Sequence, residues 1–371
     1  TGTELGALVR RGATTLTGRY PAMVYVGENH PLLPVALFAA AWAGIPFVPV
    51  NYRLQDDQLA SLVARQEGAL VLADPATAPR LGAFETRLYD EWLGALPADP
   101  DPLDPPFDDD EVAVVLYTSG TTSEPKSALL RHRHLMAYLL GSVEFGGAAE
   151  DEAMLVAVPP YHVAGLANML SNTFAGRRLV YMRTFDPERW LHLVQVEAVT
   201  NAMVVPTMLS RIVDAVGGDR ADVPTLRSLS YGGAKVSERV LLDALRLFPD
   251  TGFVNAYGLT ETASTIAVLG PDDHRAAVAT DDPVARRRLS SAGQVLPMVE
   301  IEIRGDDDQP LPPGEVGMIH LRGEQISGEY ASGSLLDADG WFSTRDRGSV
   351  DEDGYLYIEG RADDTIIRGG E

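Results

Sequence analysis

Five hydroxyl side chains (Thr118, Ser119, Thr121, Thr122 and Ser123), one glycine (Gly120), one proline and one lysine (Lys126) fall within residues 117–126. Such a loop can wrap a polyphosphate: hydroxyls and free backbone N–H groups bond its oxygens, and the ammonium adds a point charge. It is not the common P-loop, whose G-x-x-x-x-G-K-[ST] spacing is missing. Lys126 and Lys235 are the two lysines of the chain, against 28 arginines, so a compact ammonium here reads as chosen over a forked guanidinium. A second cluster, Tyr257-Gly258-Leu259-Thr260-Glu261, offers an aromatic face to a purine, a hydroxyl to a phosphate and a carboxylate to Mg²⁺. Spacing alone favours an ordinary helix start there, with Thr260 capping and Glu261 stabilised by the helix dipole. Gly232-Gly233-Ala234 lets a flat ring approach the backbone. His162 is a lone histidine in an apolar stretch, the usual place of a satisfied core residue.

These groups need strands to hold them. Apolar runs at 22–26, 47–50, 69–73 and 112–116 read as buried strands, separated by helical patterns at 31–42 and 55–66. Strand alternating with helix predicts a parallel sheet covered on both faces. A second set repeats the construction, with strands at 154–158, 179–181, 201–205, 229–231 and 253–255 and a helix expected over 133–143 before it. After about residue 290 the period changes to two, as in Val299-Glu300-Ile301-Glu302-Ile303, which predicts half-buried antiparallel strands. The expected fold is α/β, with two doubly wound subdomains (about 1–165 and 166–290) and a small antiparallel β-barrel-like subdomain (291–360). In such sheets ligands sit outside the carboxyl ends of the strands, where all three clusters fall.

Composition narrows the partners. A net charge of −23 argues against nucleic acid and anionic membrane surfaces. No apolar run is long enough to span a membrane, and no secretory leader is visible, although Thr1 is not a native start. The absence of cysteine excludes disulfides, thiolate metal sites and a cysteine nucleophile, and fits a cytoplasmic protein.

The stretch 117–126 resembles the phosphate loop of the adenylate-forming superfamily, the acyl-CoA synthetases, aryl-CoA ligases, luciferases and peptide-synthetase adenylation domains, whose pattern is [YF]-T-S-G-[ST]-T-G-x-P-K-G. Four further motifs follow in the superfamily's order: residues 160–166 around His162, Gly232-Gly233-Ala234, residues 257–261, and 340–346 with 354–361. The resemblance implies ATP-dependent activation of a carboxylic acid through acyl-AMP, then transfer to CoA, with ATP, Mg²⁺ and CoA as cofactors. It implies that Thr118, Ser119, Gly120, Thr121, Thr122, Lys126 and Thr260 hold phosphates and that Glu261 holds the metal. Gly232, Gly233, Ala234, Asn255, Ala256, Tyr257 and Gly258 would take the adenine, and Asp346 and Arg361 the ribose. The acyl group would lie beside His162, Val163, Gly165, Gly232 and Gly233. No aspartate falls in 159–166, which favours an acid without an α-amino group, a fatty acid among them. Residues 361–371 resemble the superfamily hinge, with Asp363 as pivot, and the small C-terminal domain with its second lysine would follow. Ser123, Ser127 and Arg345 stand where the pattern has glycine. They keep an inactive nucleotide-binding homologue open beside a ligase that loads an acyl-carrier protein; a homodimer is also open.

Overall fold

The computed structural model describes residues 1–82, 84–101, 104–105, 108–118 and 125–362. Ser119, Gly120, Thr121, Thr122, Ser123 and Asp363 therefore lie outside the described residues. In chain order come α1 (Gly2–Leu16), β1 (Met23–Val26), α2 (Leu32–Trp42), β2 (Phe47–Val50), α3 (Asp56–Ala64), β3 (Leu70–Ala73), β4 (Thr86–Leu88) and α4 (Tyr89–Gly94). Then follow β5 (Val112–Thr118), β6 (Lys126–Arg131), α5 (His132–Ser142), β7 (Ala153–Val156), α6 (Val163–Ala175), β8 (Arg178–Tyr181), α7 (Pro187–Val196), β9 (Asn201–Val204) and α8 (Pro206–Ala215). The chain continues with β10 (Ser228–Gly232), α9 (Glu238–Leu247), β11 (Gly252–Leu259), β12 (Ser264–Leu269), α10 (Pro271–Val278), α11 (Pro283–Arg287) and β13 (Gly293–Val295). It closes with β14 (Glu300–Arg304), β15 (Gly317–Arg322), β16 (Glu329–Tyr330), β17 (Gly333–Ser334), β18 (Phe342–Val350) and β19 (Tyr355–Arg361).

The elements pair into two sheets. The first runs β17-β16-β6-β5-β2-β1-β3-β4, parallel from β5 to β4. Every residue of β1, β2 and β3 is buried, because helices cover both faces of the sheet. Helix α2 has buried residues along nearly its whole length, since it packs between α1 and the strands. Phe47 and Tyr25 meet in that core with ring centroids 5.9 Å apart, and truncating either to alanine is expected to cost about 3–5 kcal/mol. A capping box between Thr1 and Glu4 starts α1, and Pro187 and Pro206 open α7 and α8, where a missing N–H costs nothing.

The second sheet runs β14-β15-β18-β19-β13-β12-β11-β10-β9-β7-β8. Its β8-to-β11 half is parallel and the rest antiparallel. Two differences from the sequence reading stand out. The period-two strands after residue 290 form no closed barrel among the described residues: they extend the second sheet, β13 pairing with the otherwise open edge of β12. The chain also crosses between sheets out of order. β7, within 1–165, pairs in the second sheet, whereas β16 and β17, near residue 330, close the edge of the first against β6. The helix expected at 133–143 is α5 at His132–Ser142, but β6 before it went unread. No helix among the described residues is long and apolar enough to cross a membrane.

Candidate active site

The carboxyl ends of β5, β9, β10 and β11 open into one crevice, the position expected for a ligand in α/β sheets. It has two lobes. A lobe of about 480 Å³ is lined by Thr118, Lys126, His162, Val163, Thr260, Glu261, Tyr330 and Arg345 among others. A lobe of about 450 Å³ is lined by Ala234, Asn255, Ala256, Tyr257, Ser291 and Asp346 among others. Gly233, Gly258, Leu259 and Arg361 border both, so the lobes are continuous.

In the first lobe, Lys126 opens β6 directly opposite Thr118, the last residue of β5. The hydroxyl-rich loop therefore joins an antiparallel hairpin rather than a strand and a helix. Ser127 is a strand residue paired with Tyr117, where a Cβ is no burden. The ammonium of Lys126 lies 5.6 Å from the Tyr330 ring centroid, within cation–π range. The Tyr330 hydroxyl donates to Glu261 Oε1. Burial, and that bond to a carboxylate, push the Tyr330 phenol up to about 12. Glu261 sits in a 3-10 turn, Thr260–Thr262, whose exit at Ala263 is left-handed. Its carbonyl accepts from Ser327 N (2.8 Å) and Gly328 N (3.0 Å), which ties the turn to the approach to β16. β16 is anchored in turn by a two-pronged pair between Arg131 and Glu329, at 2.8 and 2.5 Å.

His162 is the N-cap residue of α6 and faces this lobe, its ring 4.5 Å from that of Tyr161. Burial, with Arg53 nearby, holds its imidazole below the ordinary value, so the ring is neutral at pH 7. His162 thus lines the crevice, where the resemblance put it, rather than sitting in the core as its apolar setting alone would suggest.

The second lobe is tighter. Asp346 is 5% exposed and accepts from the Tyr257 hydroxyl at 2.5 Å and from Arg361 Nε at 3.1 Å. Asp346 and Arg361 face each other across β18 and β19. Asn255 Nδ2 donates to the Ser291 carbonyl at 3.0 Å, which fixes the amide plane. Gly233 has φ +83° and borders both lobes, and a Cβ on Gly258 would fall 1.9 Å from the Ser264 carbonyl oxygen.

Of the residues expected beside an acyl group, His162, Val163 and Gly233 line the crevice. Gly165 and Gly232 do not: a Cβ on either would collide at 2.2 Å with a carbonyl oxygen, of Pro159 and Ala256 respectively, so both are needed for packing. Tyr330 and Ser291 were missed. Nothing local marks them, since their partners lie 69 and 36 residues away.

Residues 1–331 match the AMP-binding enzyme family. The chain is 35% identical to feruloyl-CoA synthase of Amycolatopsis sp., over 94% of this chain and 70% of that protein. It is 31% identical to indoleacetate–CoA ligase of Aromatoleum aromaticum, over 99% of this chain and 74% of that protein. The fold superposes on o-succinylbenzoate CoA synthetase of Bacillus subtilis bound to its acyl-adenylate intermediate, with a TM-score of 0.83, 25% identity, and coverage of 100% of this chain and 75% of the other. The same enzyme has been solved with ATP and a magnesium ion, at the same score and identity. The chain therefore belongs to the AMP-binding enzyme family, whose members similar to it are acid–thiol ligases.

Proposed function

We propose that this chain carries the acid-activating site of an AMP-forming acyl-CoA synthetase. The observation that carries the reading is the two-lobed crevice: a charged lobe with Lys126, Thr260 and Glu261 runs into a narrower lobe built from a tyrosine, a fixed amide and a buried Asp–Arg pair. A triphosphate and a nucleoside need those two environments side by side.

In this reading the substrate carboxylate attacks the α-phosphorus, the bond to the pyrophosphate oxygen breaks, and acyl-AMP forms. A thiolate then attacks the acyl carbon and AMP leaves. The protein's part is to position and to neutralise charge. Lys126 and Thr260 hold phosphate oxygens, together with Thr118 at the loop's root. Glu261 fits a hard cation that takes one or two carboxylates plus substrate phosphates, and Tyr330 steers that carboxylate. Magnesium, when bound, supplies charge neutralisation at the phosphates. Tyr257, Gly233 and Ala234 flank the adenine, Asn255 has its amide oxygen left for an exocyclic amine, and Asp346 accepts from ribose hydroxyls. The neutral His162 ring screens the reacting carboxylate from water, with Val158, Val163 and Val205 around it.

The substrate is an acid with an apolar body and no α-amino group. Aromatic acids come first, because the relatives named above act on ferulate, indoleacetate and succinylbenzoate. Fatty acids, which would place the protein in lipid metabolism, come second. CoA is the acceptor in those relatives; a carrier-protein thiol is the alternative. Residues 1–360 form the large unit, and 361–371, with Asp363, its hinge. A homodimer and a cytoplasmic location complete the proposal, tested by light scattering and cell fractionation.

The decisive assay is acid-dependent pyrophosphate release from Mg·ATP across a panel of aromatic, fatty and amino acids, followed by CoA or carrier protein as acceptor. Release that needs no acid, or only an amino acid, would overturn the reading.

A further inference from the structure

Arg345 occupies a backbone conformation that side chains avoid. Its φ is +62°, in the left-handed region, on a strand where the adenylate-forming pattern has glycine. Non-glycine residues stay there only when their surroundings dictate it, and such sites concentrate where ligands act. Here the surroundings do dictate it. The Thr344 hydroxyl donates to the Ile319 carbonyl (3.0 Å) and accepts from Asp346 N (3.0 Å); the Arg345 carbonyl accepts from Ala362 N (2.9 Å). Thr344 and Asp346 on either side are buried, and Arg345 itself lines the charged lobe.

It shares the lining of that lobe with Tyr330, Glu261 and Lys126. Tyr330 in turn touches both Glu261 and Lys126. Arg345 therefore belongs to the end of the crevice that holds Glu261 and Lys126. Among the described residues that line this lobe, Lys126, Arg345 and Arg361 (the last paired with Asp346) are the cations, beside the carboxylate of Glu261, in a chain of net charge −23.

We infer that Arg345 is a polyphosphate-binding residue: its guanidinium contacts the β- or γ-phosphate of ATP and is a cation that this chain adds where the pattern has none. A planar, permanently charged fork suits that task, and water exclusion strengthens it. The inference rests on the nucleotide reading of the crevice.

Calorimetric titration of the 371-residue chain separates the two. The probes are AMP and the magnesium complex of a non-hydrolysable ATP analogue. Parent, Arg345→Gly and Arg345→Lys are compared. Glycine suits a positive φ, so Arg345→Gly is expected to fold, with a melting midpoint no lower than the parent's. It should bind the ATP analogue about tenfold more weakly, as expected for the loss of a hydrogen bond to a charged group. Its AMP affinity should move less than about twofold, because AMP lacks the outer phosphates, and Arg345→Lys should fall between parent and glycine variant. An Arg345→Gly chain that binds the ATP analogue as well as the parent, or better, overturns the inference and leaves the crevice reading standing. A parent chain that binds neither nucleotide overturns both.

Discussion

The two lobes of one crevice are built on different principles. The narrower lobe, proposed above for the nucleoside, is held by its own contacts: Tyr257 and Arg361 both donate to Asp346, and Asn255 donates to a backbone carbonyl. Those side chains stand on long paired strands, β11, β18 and β19. The charged lobe is assembled from pieces with little regular structure: the root of a hairpin, a 3-10 turn, the two-residue strand β16 and a left-handed arginine. Its cohesion is electrostatic, through Lys126, Tyr330 and Glu261. On the proposed reading, the contrast implies that recognition of the base and sugar is a matter of shape fixed in advance, whereas the phosphate end is set by charge. Damage to the first should weaken every adenine nucleotide alike. Damage to the second should show only where outer phosphates and a metal ion are involved.

The largest expected effect is that of Glu261→Gln. The amide keeps the shape but loses the anionic oxygen that a hard cation prefers, so Mg²⁺-dependent pyrophosphate exchange should fall about 100-fold or more, while AMP binding is unchanged. If AMP affinity fell in parallel, the division into two lobes would be wrong. Next is Asp346→Asn, which loosens both Tyr257 and Arg361. Titration with AMP and with the ATP analogue should give equal losses, between about tenfold and a hundredfold. A loss confined to the ATP analogue would reverse the assignment of the lobes. Tyr330→Phe deletes one hydrogen bond to Glu261 and should raise the Mg²⁺ concentration needed for half-maximal exchange about fivefold, again without touching AMP. Unchanged metal dependence would remove Tyr330 from the charged lobe's machinery.

The smallest effect concerns folding beside β6 and β16, where His134, Arg131 and Glu329 meet. His134, buried at the start of α5, has its imidazole pulled down to about 4 by desolvation first and then by Arg133. The unfolded chain takes up that proton near pH 6.5 and the folded one does not. Stability should therefore be full above pH 6.5 and decline as pH falls toward 4, by on the order of 1 kcal/mol between pH 6.5 and 5. Glu329, held below the usual carboxylate range by Arg131, acts in the same direction at lower pH. Melting curves of His134→Gln should have a shallower slope in that window; an identical slope would assign the acid response to other groups.

Local sequence carried most of the fold and named most of the side chains that meet in the narrower lobe. The strand–helix rhythm was legible because apolar runs such as Met23–Val26 are buried on both faces; Tyr257 to Glu261 lie on β11 and its exit, and Asp346 and Arg361 on the neighbouring strands β18 and β19. What stayed hidden depends on distant partners. β6 reads ambiguously in Lys-Ser-Ala-Leu-Leu-Arg and becomes a strand by pairing with β5 and β16. β16 itself is two residues long and has no periodicity to read. The fate of the antiparallel strands, whether closed on themselves or added to a neighbour, is decided by which sheet edge needs a partner.

The pairing of β16 with β6 also imposes a timetable. Arg131 and Glu329 are 198 residues apart, so at about 5–20 residues per second a ribosome finishes β6 roughly 10–40 s before its partner exists. Through that interval the nascent first sheet carries an uncovered strand edge, the kind of surface on which chains associate wrongly. The acidic run Asp108-Asp109-Asp110 and the charged ends Lys126 and Arg131 flank it, and charges beside an open edge discourage such pairing. Chains stalled on the ribosome just before and just after β16 should differ in protease protection at β6; equal protection would mean that the edge is shielded by something synthesised earlier.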